Sequence, residues 1–303
     1  MTTALYTHDD CLNHVTPPGH PEQVARLKSI AAALSPIEGL DRREAPLCSD
    51  DDILRCHPRA YLDAIASNGA GQLDPDTWMS EGSYQAARRA VGGAVAAVDA
   101  VMAGDVTNAF VACRPPGHHA ETQTPMGFCF FGNVSIAAKH ALDHHGLSRV
   151  AVIDFDVHHG NGTQDLLWNE PRALFATSQQ MPLWPGTGEP SETGAHDNVV
   201  NVPLAPGSTG GKMRLEYEAH IFPRVDAFAP EMILISAGFD AHAEDPLANL
   251  MWETEDFAWL TEQICALAEK HCDGRIVSVL EGGYDLDALG QAAAAHVRGL
   301  MAA

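Results

Sequence analysis

The chain has 303 residues, 46% of them hydrophobic and 19% charged, and a formal net charge of −22. That composition can fill the core of one large α/β domain or two small ones, and its acidity excludes the basic footprint of a nucleic-acid partner. No run approaches the ~18 uninterrupted apolar residues of a membrane span, so no membrane partner is expected.

Met1 to Asp10 carry no basic segment ahead of an apolar stretch, which predicts no export signal. The seven cysteines are scattered singly without a C-x-x-C pair. Thiolate zinc sites are therefore not expected, and reduced thiols in the cytoplasm are.

In chain order, helical patterns are predicted over 21–34 and over 83–104, the latter stopped by Gly104. A strand over 108–114 runs into a long Gly/Pro-rich loop, 114–132, and a helix over 133–146 follows. That helix ends in His144 and His145, read as a solvated helix end. Strands are predicted over 149–156, 173–178 and 198–204, with a second long loop at 179–197. A helix over 213–228 and a strand over 232–238 come next. The helix over 254–274 is expected to start on Thr254 as its cap and to close on Gly274. A strand over 275–283 and a helix over 285–301 complete the chain. Strands without clean alternation are expected to be covered on both faces. Their alternation with helices predicts an α/β fold with a mainly parallel central β-sheet flanked by helices on both faces. No repeat or linker interrupts it, so 1–303 is read as a single domain.

In such sheets ligands bind beyond the carboxyl ends of the strands. Four predicted strand ends carry "RPPGHHAE", "DFDVHHGNG", "SAGFDAHAEDP" and "LEGGYD". Asp156 and His158, two apart in an extended segment, point the same way and can grip one ion. Asp240 is placed to add a third N/O ligand, which leaves a coordination position open for water, as in catalytic zinc sites. Adjacent His118 and His119 suit general acid/base work, with Asp154 and Asn161 as candidates to fix their tautomers. Tyr284, after Gly282 and Gly283, can stabilise an oxyanion. Phe128, Phe130, Phe131 and Trp184 lie in the two long loops, where two facing aromatics could wall a narrow apolar tunnel.

The segments "HPEQVARL" (20–27), "RPPGHHA", "GFCFFGN", "DFDVHHGNGTQ", "PGTG", "NVPL", "SAGFDAH" and "LEGGYD" (280–285) occur in an order that resembles the zinc-dependent histone deacetylase family, class II-like and bacterial in type. The resemblance implies the arginase–deacetylase fold and a single deacetylase-like domain. It implies zinc on Asp156, His158 and Asp240, although ferrous iron or cobalt would suit the same donors. It also implies a structural potassium on Asp154, Asp156, His158, Thr177 and Ser178. His118, backed by Asp154, and His119, oriented by Asn161, would flank the attacking water, with Tyr284 polarising the acyl carbonyl. Gly127, Phe128, Trp184, Leu247 and Asp76 would contact substrate. The implied reaction removes acetyl or short acyl groups from acyl-lysine or a related acylated amine.

Three features depart from common family patterns. Gln179 stands where many relatives carry His, and Trp184 where Phe or Tyr is usual. Leu247 stands where acetylpolyamine amidohydrolases carry a cation-binding Glu, which argues against that rival. Arginase-type chemistry would need a second metal set. A catalytically silent acyl-lysine-binding protein would be expected to have lost part of the machinery, yet His118, His119 and Tyr284 are all present. The oligomeric state is left open.

Overall fold

Val150, Ala151, Val152 and Ile153 are wholly buried, which only a strand covered on both faces achieves. They belong to a central eight-stranded sheet in the computed structural model of the chain, which describes residues 2–303. The strands are β1 (Thr3–Thr7), β2 (Asp41–Glu44), β3 (Gly71–Gln72), β4 (Trp78–Met79) and β5 (Asn108–Val111). They continue with β6 (Val150–Asp154), β7 (Ala173–Gln180), β8 (Val199–Leu204), β9 (Met232–Ala237) and β10 (Ile276–Leu280). The main sheet has the order β2-β1-β5-β10-β9-β6-β7-β8. Each of its ladders is parallel. β3 and β4 form a separate antiparallel pair.

The helices are α1 (Ala25–Leu34), α2 (Asp50–Ile53), α3 (Arg59–Ser67), α4 (Ser83–Met102) and α5 (Asn133–Asp143). After them come α6 (Asn161–Leu167), α7 (Gly210–Glu216), α8 (Phe222–Phe228), α9 (Thr254–Cys272) and α10 (Leu286–Ala302). α10 packs on α1 and α9, while α4 packs on α5. These two groups cover opposite faces of the sheet, and the main core lies between them. A smaller core under the 114–132 loop joins Tyr61, Leu62 and Ile65 of α3 to Phe130, Phe131 and Leu166. The α/β class, the parallel sheet and its two helical layers agree with the sequence reading.

Several boundaries differ for identifiable reasons. α9 is capped by Glu253 rather than Thr254, because Asp256 accepts the Glu253 N–H at 2.9 Å and closes a capping box. The single helix expected over 213–228 is instead α7 and α8 joined by a π-helical turn, Tyr217–Ile221. Pro223 has no N–H to continue the α-helical ladder, and the wider turn absorbs the break. The first two strands, β1 and β2, were not anticipated. Among the described residues no helix is long and apolar enough to cross a membrane.

Candidate metal centre

Four adjacent strands, β5, β10, β9 and β6, deliver their carboxyl-terminal loops side by side. β6 ends on Asp154 and leads into Asp156, His158 and Asn161. β9 leads into Asp240, β10 into Glu281 and Tyr284, and β5 into His118 and His119. Parallel pairing therefore gathers the residues that the sequence separates by up to 166 positions, from His118 to Tyr284 (284 − 118).

Asp156, His158 and Asp240 lie with their donor atoms within 4.8 Å of one another. His158 Nδ1 is 3.1 Å from Asp156 Oδ1 and 3.1 Å from Asp240 Oδ2. The carboxylates are held from behind: Asp156 accepts N–H bonds from Gly282 at 2.8 Å and His158 at 2.9 Å, and Asp240 accepts one from Val157 at 2.9 Å. A Cβ at Gly282 would overlap both carboxylates, so this close approach requires glycine. Burial opposes a charge on His158, yet the hydrogen bonds and field of Asp156 and Asp240 prevail and raise it to about 10. Burial, then repulsion by Asp156, pushes Asp240 up to about 7. Two buried carboxylates converging on one imidazole form a centre that favours positive charge. With two oxygen donors, one nitrogen donor and room for water, the residues fit a catalytic divalent ion such as zinc.

The histidine pair splits into unlike halves. Its ring centres are 3.9 Å apart. His118 Nδ1 bonds Asp154 Oδ2 at 3.0 Å, while His119 Nδ1 bonds the neutral Asn161 Oδ1 at 2.7 Å. For His118, burial is outweighed by Asp156, Asp154 and Glu281, and its pKa rises well above the ordinary value. For His119, burial acts first and the fields of His118 and His158 add to it, so its pKa falls well below. Asn161 is itself oriented, because its Nδ2 donates to Glu121 at 2.8 Å. Its Oδ1 therefore faces His119, the Nδ1 of His119 is the donor, and Nε2 is left as the basic nitrogen.

Tyr284 is 9% exposed, and burial raises its phenol well above the ordinary value. Its N–H donates to Asp245 at 2.7 Å. Phe128 and Tyr284 have ring centres 5.9 Å apart, and those of His119 and Trp184 are 4.7 Å apart. A cavity of about 190 Å³ is lined by Asp76, His119, Gly127, Phe128, His158, Leu183, Trp184, Leu247 and Tyr284. All five residues expected to contact substrate thus meet in one channel with the histidines. Leu183 joins them and was not anticipated. Gly127 has φ +56°, and a Cβ there would strike the rings of His119 and Trp184. Its N–H donates to Asp76 Oδ1 at 3.0 Å, which ties two of the lining residues together. A larger concavity of about 560 Å³ near Glu216, His220 and Arg224 contains none of these groups. Phe130 and Phe131 face the core rather than the channel, as expected of fully apolar rings with no polar handle.

Beside the centre, Thr177 pairs in register with Asp154. Thr177 Oγ1 is buried and has no hydrogen-bond partner among the described residues. Ser178 directs its hydroxyl to Tyr217, 2.9 Å away. An unpartnered buried hydroxyl beside the Asp154 carboxylate is an oxygen donor of the kind that suits a hard cation.

Two buried supports escaped the sequence reading. Glu281 accepts the N–H groups of Gly117 at 2.7 Å and His118 at 3.1 Å, which fixes the histidine loop; burial raises this carboxyl to about 7. Glu22 pairs with both Arg114 and Arg26, and Arg26 Nε donates to the Gly283 carbonyl at 2.6 Å. "HPEQVARL" and "RPPGHH" contain these charges, but nothing in either shows that the three are partners. His144 is exposed, as expected of a solvated helix end, but His145 differs, because its Nε2 sits 2.7 Å from Asp99 rather than in open solvent.

A parallel α/β sheet with a candidate metal cluster at its carboxyl edge is the arrangement of an enzyme-like ligand site. The chain belongs to the histone deacetylase family: the histone deacetylase domain matches residues 20–300. It is 40% identical to an uncharacterised protein of Synechocystis sp. over 99% of this chain and 100% of that one. It is 39% identical to a probable deacetylase of Archaeoglobus fulgidus, covering 95% and 82% of the two chains. It is 40% identical to a histone deacetylase-like amidohydrolase of Pseudomonas aeruginosa, covering 89% and 74%. Among solved structures, the HDA15 HD domain superposes with a TM-score of 0.94 at 30% identity, covering 99% of this chain and 90% of that one. The activity is accordingly of the deacetylase and amidohydrolase class.

Proposed function

We propose that the chain removes acetyl or other short acyl groups from acyl-lysine, or from a related acylated amine, at a zinc centre on Asp156, His158 and Asp240. The observation that carries this reading is the shape of the site: a narrow channel with apolar walls, Phe128, Leu183, Trp184 and Leu247, leads down to His119, His158 and Tyr284. An unbranched alkyl stem fits such walls, and its amide would stop where the polar groups begin. A divalent ion held there supplies Lewis acidity, which lowers the pKa of a water and polarises the acyl oxygen.

The protein's own groups do the rest. His119 takes the proton of the attacking water on Nε2, since Asn161 holds its Nδ1. The water oxygen bonds to the acyl carbon, and Tyr284 donates a hydrogen bond to the oxygen as charge builds on it. His119 then returns the proton to the amine nitrogen as the C–N bond breaks, leaving a carboxylic acid and an amine, and the acid's remaining proton passes to the amine to give carboxylate and ammonium. His118, held cationic by Asp154 and Asp156, stabilises the negative charge of this step. The Gly127 carbonyl accepts the substrate amide N–H, with Asp76 fixing the Gly127 peptide. Asp154, Asp156, His158, Thr177 and Ser178 hold a structural potassium behind the centre. Residues 1–303 act as one catalytic domain in the cytoplasm.

Metal analysis of the purified protein, followed by turnover of acyl-lysine peptides, acylpolyamines and small acylated amines, tests the reading. Zinc at the centre with release of free lysine amine is expected. A metal-loaded protein that hydrolyses none of these amides would overturn it.

A further inference from the structure

At the opposite edge of the sheet lies a second group of metal-ligand side chains that the deacetylase reading does not use. α4 and α5 each lead into a strand, β5 and β6, so their carboxyl-terminal ends lie at the amino edge, away from the channel. There Asp99 of α4 faces His140, His144 and His145 at the end of α5. His140 and His144 are four apart, which places both on one face of the helix. Gly146, with φ +72°, turns the chain just after His145.

The geometry is that of a coordination site rather than a chance histidine cluster. One donor atom from each of the four residues lies within 4.8 Å of all the others. Asp99 Oδ1 is 2.6 Å from His140 Nε2 and 2.7 Å from His145 Nε2. The three ring centres are 4.7, 4.9 and 5.3 Å apart. With metal–nitrogen bonds of about 2.0–2.1 Å and tetrahedral angles, three imidazoles on one ion have centres about 5 Å apart. Three rings on two helices thus already stand at the separations a shared ion imposes. His140 is 5% exposed, and its Nδ1 has no partner among the described residues, so its sole side-chain hydrogen bond points into the cluster. Burial raises the Asp99 carboxyl, but the bonds to His140 and His145 prevail and hold it below the ordinary range, as an anion. Asp143, the remaining acid nearby, turns to Arg172 at 2.9 Å and is not part of the set.

We propose that Asp99, His140, His144 and His145 form a second metal site, which binds a late first-row divalent ion such as Zn²⁺ and clamps α4 to α5. Three imidazoles and one carboxylate match the donor preferences of zinc, nickel and copper rather than those of magnesium or calcium. The ion would complete its shell from Asp99 and the three rings. Its role is to hold the helices, and turnover does not pass through it. α5 begins at Asn133, whose Nδ2 donates to the Pro115 carbonyl at 3.2 Å, so the clamp steadies the helix that underlies the histidine loop.

The test uses the full chain and Zn²⁺ alone. Metal analysis and calorimetric titration should give two zinc equivalents in the wild type. They should give one in His144→Ala/His145→Ala, which keeps its deacetylase turnover, and one in Asp156→Ala/His158→Ala, which does not. His144→Ala alone should weaken the second equivalent by at least the roughly 10–100-fold lost when a residue that merely supports a ligand is replaced. Zinc should raise the melting temperature of the Asp156→Ala/His158→Ala protein, and this rise should vanish when His144 and His145 are also replaced. The proposal is overturned if replacing His144 and His145 changes neither the zinc stoichiometry nor that thermal response. Failure of turnover in the wild type would instead count against the catalytic reading alone.

Discussion

The two metal-ligand clusters differ in how their donors are held. At the carboxyl edge, Asp156, His158 and Asp240 are 1%, 9% and 0% exposed, and backbone N–H groups fix both carboxylates. At the amino edge, the Asp99 side chain is 47% exposed and that of His145 is 21% exposed. Among the described residues Asp99 has the imidazoles as its side-chain partners. The first arrangement is braced by backbone and opens into a channel; the second is braced by its own side chains and is part exposed. Donor identity alone therefore does not mark a catalytic centre. Rigid backing, burial and a path for substrate do.

The sharpest way to break this contrast is to remove one buried donor. Asp156→Ala or His158→Ala should abolish metal binding at the carboxyl edge together with activity, since each deletes one of three protein ligands. Full occupancy of that centre in either variant, by metal analysis, would mean the donors are misassigned. Tyr284→Phe is expected to keep metal and fold but to lose about 10²–10³ in kcat, the usual worth of one oxyanion donor. Wild-type turnover in this variant would remove the phenol from the chemistry.

Specificity should respond less strongly. Leu247 lines the channel, where an internal ammonium of a polyamine would lie against an apolar side chain with no ion pair. Leu247→Glu should raise the kcat/KM ratio of acetylspermidine to an acetyl-lysine amide by about tenfold or more, the range of a partly buried charge pair. An unchanged ratio would show that this position does not meet the substrate. A wild type that already prefers the polyamine would defeat the discrimination outright.

Legibility in the sequence followed the same division. Residues at the ends of β5, β6, β9 and β10 could be read because polar groups placed directly after apolar strands are conspicuous, and parallel pairing brings such ends together. β2 could not be read. Its sequence, Asp41 to Glu44, is charged throughout, as suits an edge strand that must not pair further. Glu281 stands inside "LEGGYD" with nothing to single it out, and its support of the histidine loop exists only once Gly117 and His118 are folded against it. The Glu22–Arg114 pair spans 92 positions, and no local pattern signals it. His145 was misread because the residue that engages it, Asp99, lies on another helix.

The smallest expected effect separates the two halves of the histidine pair. His118 faces a carboxylate and His119 an amide, and only the amide can also donate to Glu121, at 2.8 Å. Asn161→Asp alone would set two carboxylates against each other, so the informative variant is Asn161→Asp with Glu121→Gln. Its new anion beside His119 favours the imidazolium and raises the pKa of that ring, from a value that burial and the neighbouring histidines hold well below the ordinary one. A general base works only when neutral, so activity falls as pH drops through this pKa. The acidic limb of kcat/KM should therefore move to higher pH by about one unit, with the rate above the limb little changed. On the acid side the double variant should be about tenfold slower than the wild type, and the two should converge as pH rises. If the limb stays in place while Asp154→Asn moves it, His118 rather than His119 is the base, and the roles of the pair are exchanged.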